Sequence, residues 1–197
     1  MTTGTDWPEP GGRPPAPSLA LHILQDFVNT NDIEGGRDAL ATPQLFHDWL
    51  VVTGAIPARE RVTAEAHAQA LAIREGLRAL GRANNDEPLD PERLAAMNRA
   101  ATGLPLVAEI RDSATWTLAP TAAGVDDYLA GMLSTLVTAI ADGSWSRVKS
   151  CRNDTCRWLF FDQSRNRSGT WCTMTICGSR FKSRAYRARR REGIETG

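Results

Sequence analysis

The stretch that decides the fold reads CRNDTCRWLFFDQSRNRSGTWCTMTICGSRFKSRAYRARR, from Cys151 to Arg190. It holds all four cysteines of the chain, Cys151, Cys156, Cys172 and Cys177, as two C-x4-C pairs with fifteen residues between them. Two short pairs at this separation suit a tetrahedral four-thiolate zinc site, each pair supplying two thiolates from a tight turn. Spacing of four within a pair is less diagnostic than spacing of two, so the surroundings matter. From Arg147 to Arg191 there are thirteen Lys/Arg against only Asp154 and Asp162, a net charge of +11. A small metal-held module coated with arginine reads as a nucleic-acid-binding finger.

The rest of the chain is its electrostatic opposite. The total net charge of zero conceals a net of −9 over residues 1 to 146, and Glu192 and Glu195 supply the remaining −2. Such an asymmetry implies two modules with different electrostatic tasks. The acidic part is long enough to bury a core, whereas a basic part of about 45 residues needs a metal, disulfides or a partner. Two disulfides, or buried free thiols, are the alternatives to zinc. No basic-then-apolar leader opens the chain and no run reaches the length of a membrane span. A cytoplasmic location without membrane contact is therefore expected, where reduced thiols favour metal.

Local patterns predict a mainly helical fold with a small β-hairpin, followed by the cysteine module and a basic helix. The expected division is a disordered leader over 1–17, a helical domain over 18–146, the finger over 147–191 and a tail over 192–197. Leu21, Leu24, Phe27 and Val28 make a helical stripe over Leu19 to Thr30. Thr42 caps a second helix with Pro43 in its first turn, Leu45, Phe46, Trp49 and Leu50 inward and Gly54 at its end. A long helix spans Thr63 to Ala83 with Ala66, Ala70, Ile73, Leu77 and Leu80 on one side. Asp90 and Pro91 start another, burying Leu94 and Met97. Leu104–Ile110 and Ala114–Leu118 read as the hairpin. Val125 to Ala141 is helical through Leu129, Leu133, Leu136, Val137 and Ile140.

Within the finger, Trp158 to Phe161 is strand-like, and Trp158, Phe160, Phe161 and Trp171 are expected to shield the metal. Tyr186 is then the one aromatic left for stacking. A last helix after Gly178 places Phe181, Ala185 and Ala188 against the finger. Arg180, Arg184, Arg187 and Arg191 form a parallel stripe, with Lys182 alongside and Arg165 and Arg167 in the preceding loop. The like-charged pairs Arg180/Arg184 and Arg187/Arg191 cost about 0.2–0.5 kcal/mol each in an isolated helix. Phosphates would supply the missing counter-charge, while the bland alternative is a basic tail lying on the protein's own acidic part. His22, His47 and His67 read as surface or satisfied core residues. Asp26 and Asn29 share a helical face and suit either a hydrogen-bonded helix end or the wall of a small pocket.

The Cys151–Arg190 block resembles the CGNR zinc-finger family through its W-x-F-x-D, S-R-N-x-S and W-C-x-M series. Upstream, LHILQDFVNT, FHDWLVVTGAI, AIREGLRAL and the helix leading to SWSRVKSC resemble the ABATE domain, the family's usual companion. The resemblance implies a bacterial stress-induced transcription regulator whose finger binds DNA. It carries the ligand role for one structural Zn2+ per chain onto Cys151, Cys156, Cys172 and Cys177. The name-giving motif departs here, reading Cys177-Gly178-Ser179-Arg180, with Ser expected to cap the helix as Asn would. Gly169-Thr170 also stands where many members carry arginines. Four thiolates close the coordination shell of zinc, and no phosphate-loop or nucleophile motif is present, so no enzyme is expected. A DNA-binding regulator with a sensing or dimerising helical domain is the leading reading, its partners being DNA, a small-molecule effector and a second copy. An RNA-binding finger and a zinc-stabilised protein-interaction adaptor are the alternatives.

Overall fold

A computed structural model describes residues 15–195 of the chain, and side chains as far as Arg190. Most of the expected leader, the side chain of Arg191 and the side chains of the 192–197 tail lie outside the described residues. Six α-helices and three two-stranded antiparallel hairpins follow one another among the described residues.

Helix α1 (Leu19–Asn29) starts where the Ser18 hydroxyl accepts from the Leu21 N–H, and buries Leu24, Phe27 and Val28. Strands β1 (Asn31–Asp32) and β2 (Arg37–Asp38) then form a short hairpin. Helix α2 (Pro43–Val52) has the Thr42 cap and first-turn proline that the sequence announces. Phe46 and Leu50 face the core, but Leu45 points to solvent, because a ten-residue helix at the surface has only a narrow inward stripe. Gly54 closes it with φ +75°, a left-handed conformation suited to glycine.

Helix α3 (Ala64–Ala83) is the central rod, capped by Thr63 and buried along Ala66, Ala70, Ile73 and Leu77. Helix α4 (Pro91–Ala101) packs against it, with Asp90 accepting from the N–H groups of Glu92 and Arg93. Strands β3 (Leu106–Ile110) and β4 (Trp116–Pro120) pair from Ile110↔Trp116 to Leu106↔Pro120. Their turn is organised by Asp112, which accepts from the N–H groups of Ala114 and Thr115. Helix α5 (Gly124–Ala141) buries Leu129, Leu133 and Leu136, while Val137 and Ile140 face outward, contrary to the reading of the stripe. The buried side of α5 instead runs through Val125, Ala130, Met132 and Ala139.

A 3-10 turn (Ser144–Arg147) leads into β5 (Val148–Ser150), which pairs with β6 (Leu159–Phe161). Val148 and Leu159 belong to the same apolar core as Leu24, Phe27 and Leu77. The cysteine region is therefore built directly against the helical body. Gly81 permits this, since a Cβ there would lie 2.5 Å from Leu159 Cδ1 and 3.2 Å from the Ser150 backbone nitrogen. A π-helical turn (Met174–Gly178) leads into α6 (Ser179–Glu195). Among the described residues no helix is long and apolar enough to cross a membrane.

Candidate metal centre and basic helix

The β5–β6 hairpin delivers the first two cysteines. Cys151 continues β5, its N–H donating to the Trp158 carbonyl at 2.8 Å, so the C-x4-C segment is the hairpin's turn. That turn closes on Asn153, whose carbonyl accepts from Cys156 and Arg157, with Arg157 at φ +53°. The second pair comes from a different local device. Thr173 caps the π-helical turn by accepting from the Ile176 N–H at 3.2 Å, and Cys177 sits in that turn at the start of α6.

The four sulfurs converge. All lie within 4.8 Å of one another and are buried, with Cys156–Cys172 at 3.7 Å and Cys172–Cys177 at 3.6 Å. A tetrahedron with Zn–S bonds of about 2.3 Å has S···S edges of about 3.8 Å. The cluster thus has the size of a zinc shell, and its sulfurs are far too distant from one another to be disulfide-bonded. Without a cation the arrangement resists ionisation. The Cys151 thiol is pushed up to about 12, since the favourable hydrogen bond with Cys156 is outweighed by that with Cys172 and by burial. Hydrogen bonds with Cys151 and Cys172, together with burial, push Cys156 upward as well. The four thiols become ligands when a divalent cation supplies the balancing charge. The Asn153 amide donates to Cys177 Sγ at 3.6 Å, a contact that orients the sulfur within the cluster.

Trp158 and Phe160 are buried against the sulfurs, and Trp171 packs beside them half-buried. Phe161 belongs instead to the main core, because successive residues of β6 face opposite sides. Asp162 has a role that sequence reasoning missed. Its carboxylate accepts from Lys149 Nζ at 2.9 Å, from Ser164 N–H at 2.9 Å and from Gly169 N–H at 2.8 Å. Burial alone would raise its pKa, but these hydrogen bonds outweigh it and hold the group at about 2. Lys149 is equally buried and also donates to the carbonyls of Arg167 and Gly169. The polar loop is thereby folded around one internal ion pair. Nothing in the sequence singles the pair out, since Lys182 and Asp154 stand in the same arginine-rich block.

Asparagines join this centre to the helical body. Asn29 does not line a pocket; its amide pairs with both backbone groups of Leu159, at 2.7 and 2.9 Å, in the manner of a neighbouring strand. Asn84 donates to the carbonyls of Trp145 and Val148, and Asn85 to those of Ser150 and Thr170. Buried Arg78 bridges the carbonyls of Val28 and Arg157. Arg157 in turn pairs with Glu87 and Asp154. Asn84-Asn85 at the end of a predicted helix reads only as a stop signal, so its reach across to residue 170 was not visible in sequence.

The basic residues separate into tied and open ones. Arg180 pairs with Glu34 in the β1–β2 turn. The Arg167 guanidinium donates to the Ser146 hydroxyl at 3.1 Å, and Arg187 Nε to the Ser183 carbonyl at 3.2 Å. Arg165, Lys182, Arg184 and Arg187 are exposed. Ser179 does not cap α6; its hydroxyl donates to the Met174 carbonyl, because Thr173 has already capped the turn that runs into the helix. Phe181 stacks on Trp171 at 4.9 Å but remains 53% exposed, Ala185 is half-buried and Ala188 is exposed, so among the described residues the anchoring of α6 is concentrated near its start. Two aromatics, Phe181 and Tyr186, are therefore open on α6 rather than one. The histidines are structural or peripheral: His67 bonds the Leu40 carbonyl, His47 sits beside Asp48, and His22 beside Asp26.

A helical body joined to a four-cysteine centre that launches a basic helix defines a zinc-finger protein of two parts. Two family models match those parts in order. ABATE, described as "Putative stress-induced transcription regulator", matches residues 21–143. The CGNR zinc finger matches residues 147–190. The first match spans more than half of the chain, which therefore belongs to the ABATE family and carries a CGNR zinc finger suited to one structural Zn2+. No curated protein matches the chain.

Proposed function

We propose that the protein is a transcription regulator that grips duplex DNA with α6, the zinc centre fixing the base of that helix. The observation that carries this reading is the exposed cationic face that the described part of α6 presents beyond its first turn. Arg180, Arg184 and Arg187 recur at helical spacing, Lys182 stands beside them, and no acidic residue interrupts Ser179 to Arg190. Spacing of three and four places such residues on one face, and the major groove admits an α-helix. Arg165 and Arg167 extend the positive charge on the adjoining loop. The closed four-thiolate shell leaves no open position for substrate, so the metal is structural rather than catalytic.

The acidic body would repel DNA and serves regulation instead, by sensing an effector or forming a dimer. Val107 and Ile110 on β3, with Val137 and Ile140 on α5, are exposed apolar side chains that support pairing with a second copy. The Arg180–Glu34 pair supports a contact that DNA must displace. RNA is the second reading, favoured by the exposed rings of Phe181 and Tyr186.

Salt dependence tests the proposal. The affinity for duplex DNA should fall with a log–log slope of about −0.9 per phosphate neutralised. Arg184→Ala should weaken binding to all duplexes alike and reduce the slope by about one. Tighter binding to single-stranded RNA than to duplex DNA would transfer the function to RNA, and binding to neither would leave the adaptor.

A further inference from the structure

A cleft of about 760 Å³ opens between α1, α2 and α5, with Pro120 of β4 at its edge, within the size range of small-molecule sites. Its wall is aromatic. Trp49 and Tyr128 meet edge to face at 5.9 Å, and Phe27 stands behind Tyr128 in the same relation at 5.9 Å. Ile23 and Met132 add apolar surface. Two carboxylates, Asp26 and Asp127, also line the cleft, and no lysine or arginine does so among the described residues. This charge pattern rejects anions.

Two polar atoms on lining residues call for a ligand. The Tyr128 hydroxyl and His22 Nδ1 are buried and have no hydrogen-bond partner among the described residues. Buried polar atoms are ordinarily paired, and each exception requires an explanation. His22 Nε2 lies 3.5 Å from Asp26 Oδ2. With the ring proton on Nε2, toward Asp26, Nδ1 is a lone-pair acceptor. Burial, aided by the charge of Asp26, raises the phenol of Tyr128 well above its ordinary pKa. The hydroxyl therefore stays neutral, and its oxygen is a second acceptor.

We propose that this cleft binds a small organic ammonium, its apolar body against Trp49 and Tyr128 and its charge toward Asp26. The aromatic rings offer apolar area to the ligand's body, and the Asp26 carboxylate attracts its charge. Neither acceptor is open to water, so the wall of the cleft must shift for the ammonium N–H groups to donate to the Tyr128 oxygen and to His22 Nδ1. The site would give the helical body its effector and so rests on the regulatory role proposed above. The binding itself is measured without DNA, so its failure is distinguishable from a failure to bind DNA.

The test titrates the zinc-loaded full chain with phenethylammonium chloride and, as an anion of similar shape, 3-phenylpropionate. The indole N–H signal of Trp49, identified with a Trp49→Phe variant, reports occupancy. A saturable one-site shift is expected with the ammonium, and binding weaker by about tenfold with the carboxylate. Tyr128→Phe should raise Kd about fivefold. The same change should not lower the melting temperature of the unliganded protein, since the deleted hydroxyl has no partner among the described residues. Asp26→Asn should remove the preference for the cation. Equal affinity for the carboxylate, or no Trp49 shift at any soluble ammonium concentration, would overturn the proposal. A Tyr128→Phe variant with lower melting temperature and unchanged Kd would do the same.

Discussion

Asp162 and Lys149 show most clearly how single residues hold the finger. Both are buried, 2.9 Å apart, and the loop from Ser164 to Gly169 is hydrogen-bonded to them. Removing one partner leaves an uncompensated buried charge, which costs about 3–5 kcal/mol, far more than the pair contributes over a well-packed apolar replacement. Lys149→Ala should therefore lower the unfolding free energy by about that amount in denaturant titrations. The double change Lys149→Met with Asp162→Asn should recover most of it, and a double variant no better than the single one would contradict this account. The sequence made the cysteines legible because zinc demands four ligands in a small volume. It did not reveal Lys149 or Asp162, because a lysine among arginines reads as surface charge until burial is known. Asn29 fits the reading of a hydrogen-bonded helix end, but its partner was hidden for a similar reason: residues adjacent on a helix face do not disclose that a strand 130 residues away will use one of them as its neighbour.

At the scale of elements, α3 and the β5–β6 hairpin form the joint between the two parts. Helices α1 to α5 were legible from caps and apolar period, since Thr42, Thr63 and Asp90 mark starts that local hydrogen bonding enforces. Strand β5 was not, because three residues carry too little period to read, and it exists through pairing with β6 and packing under Gly81. The outward turn of Leu45, Val137 and Ile140 shows the same limit: a stripe gives an axis, while neighbours decide its width. We infer from the shared core that the finger and the body unfold together. Asn29→Ala leaves both backbone groups of Leu159 without their side-chain partner and should cost about 2–4 kcal/mol. Zinc release and loss of helical circular dichroism should then shift together to lower denaturant. Release of zinc at an unchanged helical midpoint would show two independent units.

The whole molecule sets an acidic helical body against a zinc-held basic helix, the two having opposite charge within one neutral chain. Both halves of that polarity were visible in composition, because net charge needs no fold to be counted. The path of α6 was not, since its anchoring depends on the Trp171–Phe181 stack and on Cys177 being drawn into the sulfur cluster. If the metal positions α6, stripping it should release the helix from its base while leaving every arginine in the chain. Charge alone would then retain only a weak, geometry-tolerant attraction to phosphate. The most direct measurement is the affinity for duplex DNA, taken against salt concentration, for the zinc-loaded chain and for the same chain after chelation. The account predicts steeply salt-dependent binding by the loaded form, a loss of at least about tenfold on chelation, and recovery when zinc is restored. Equal binding with and without zinc, or no binding by the loaded form at low salt, would contradict it.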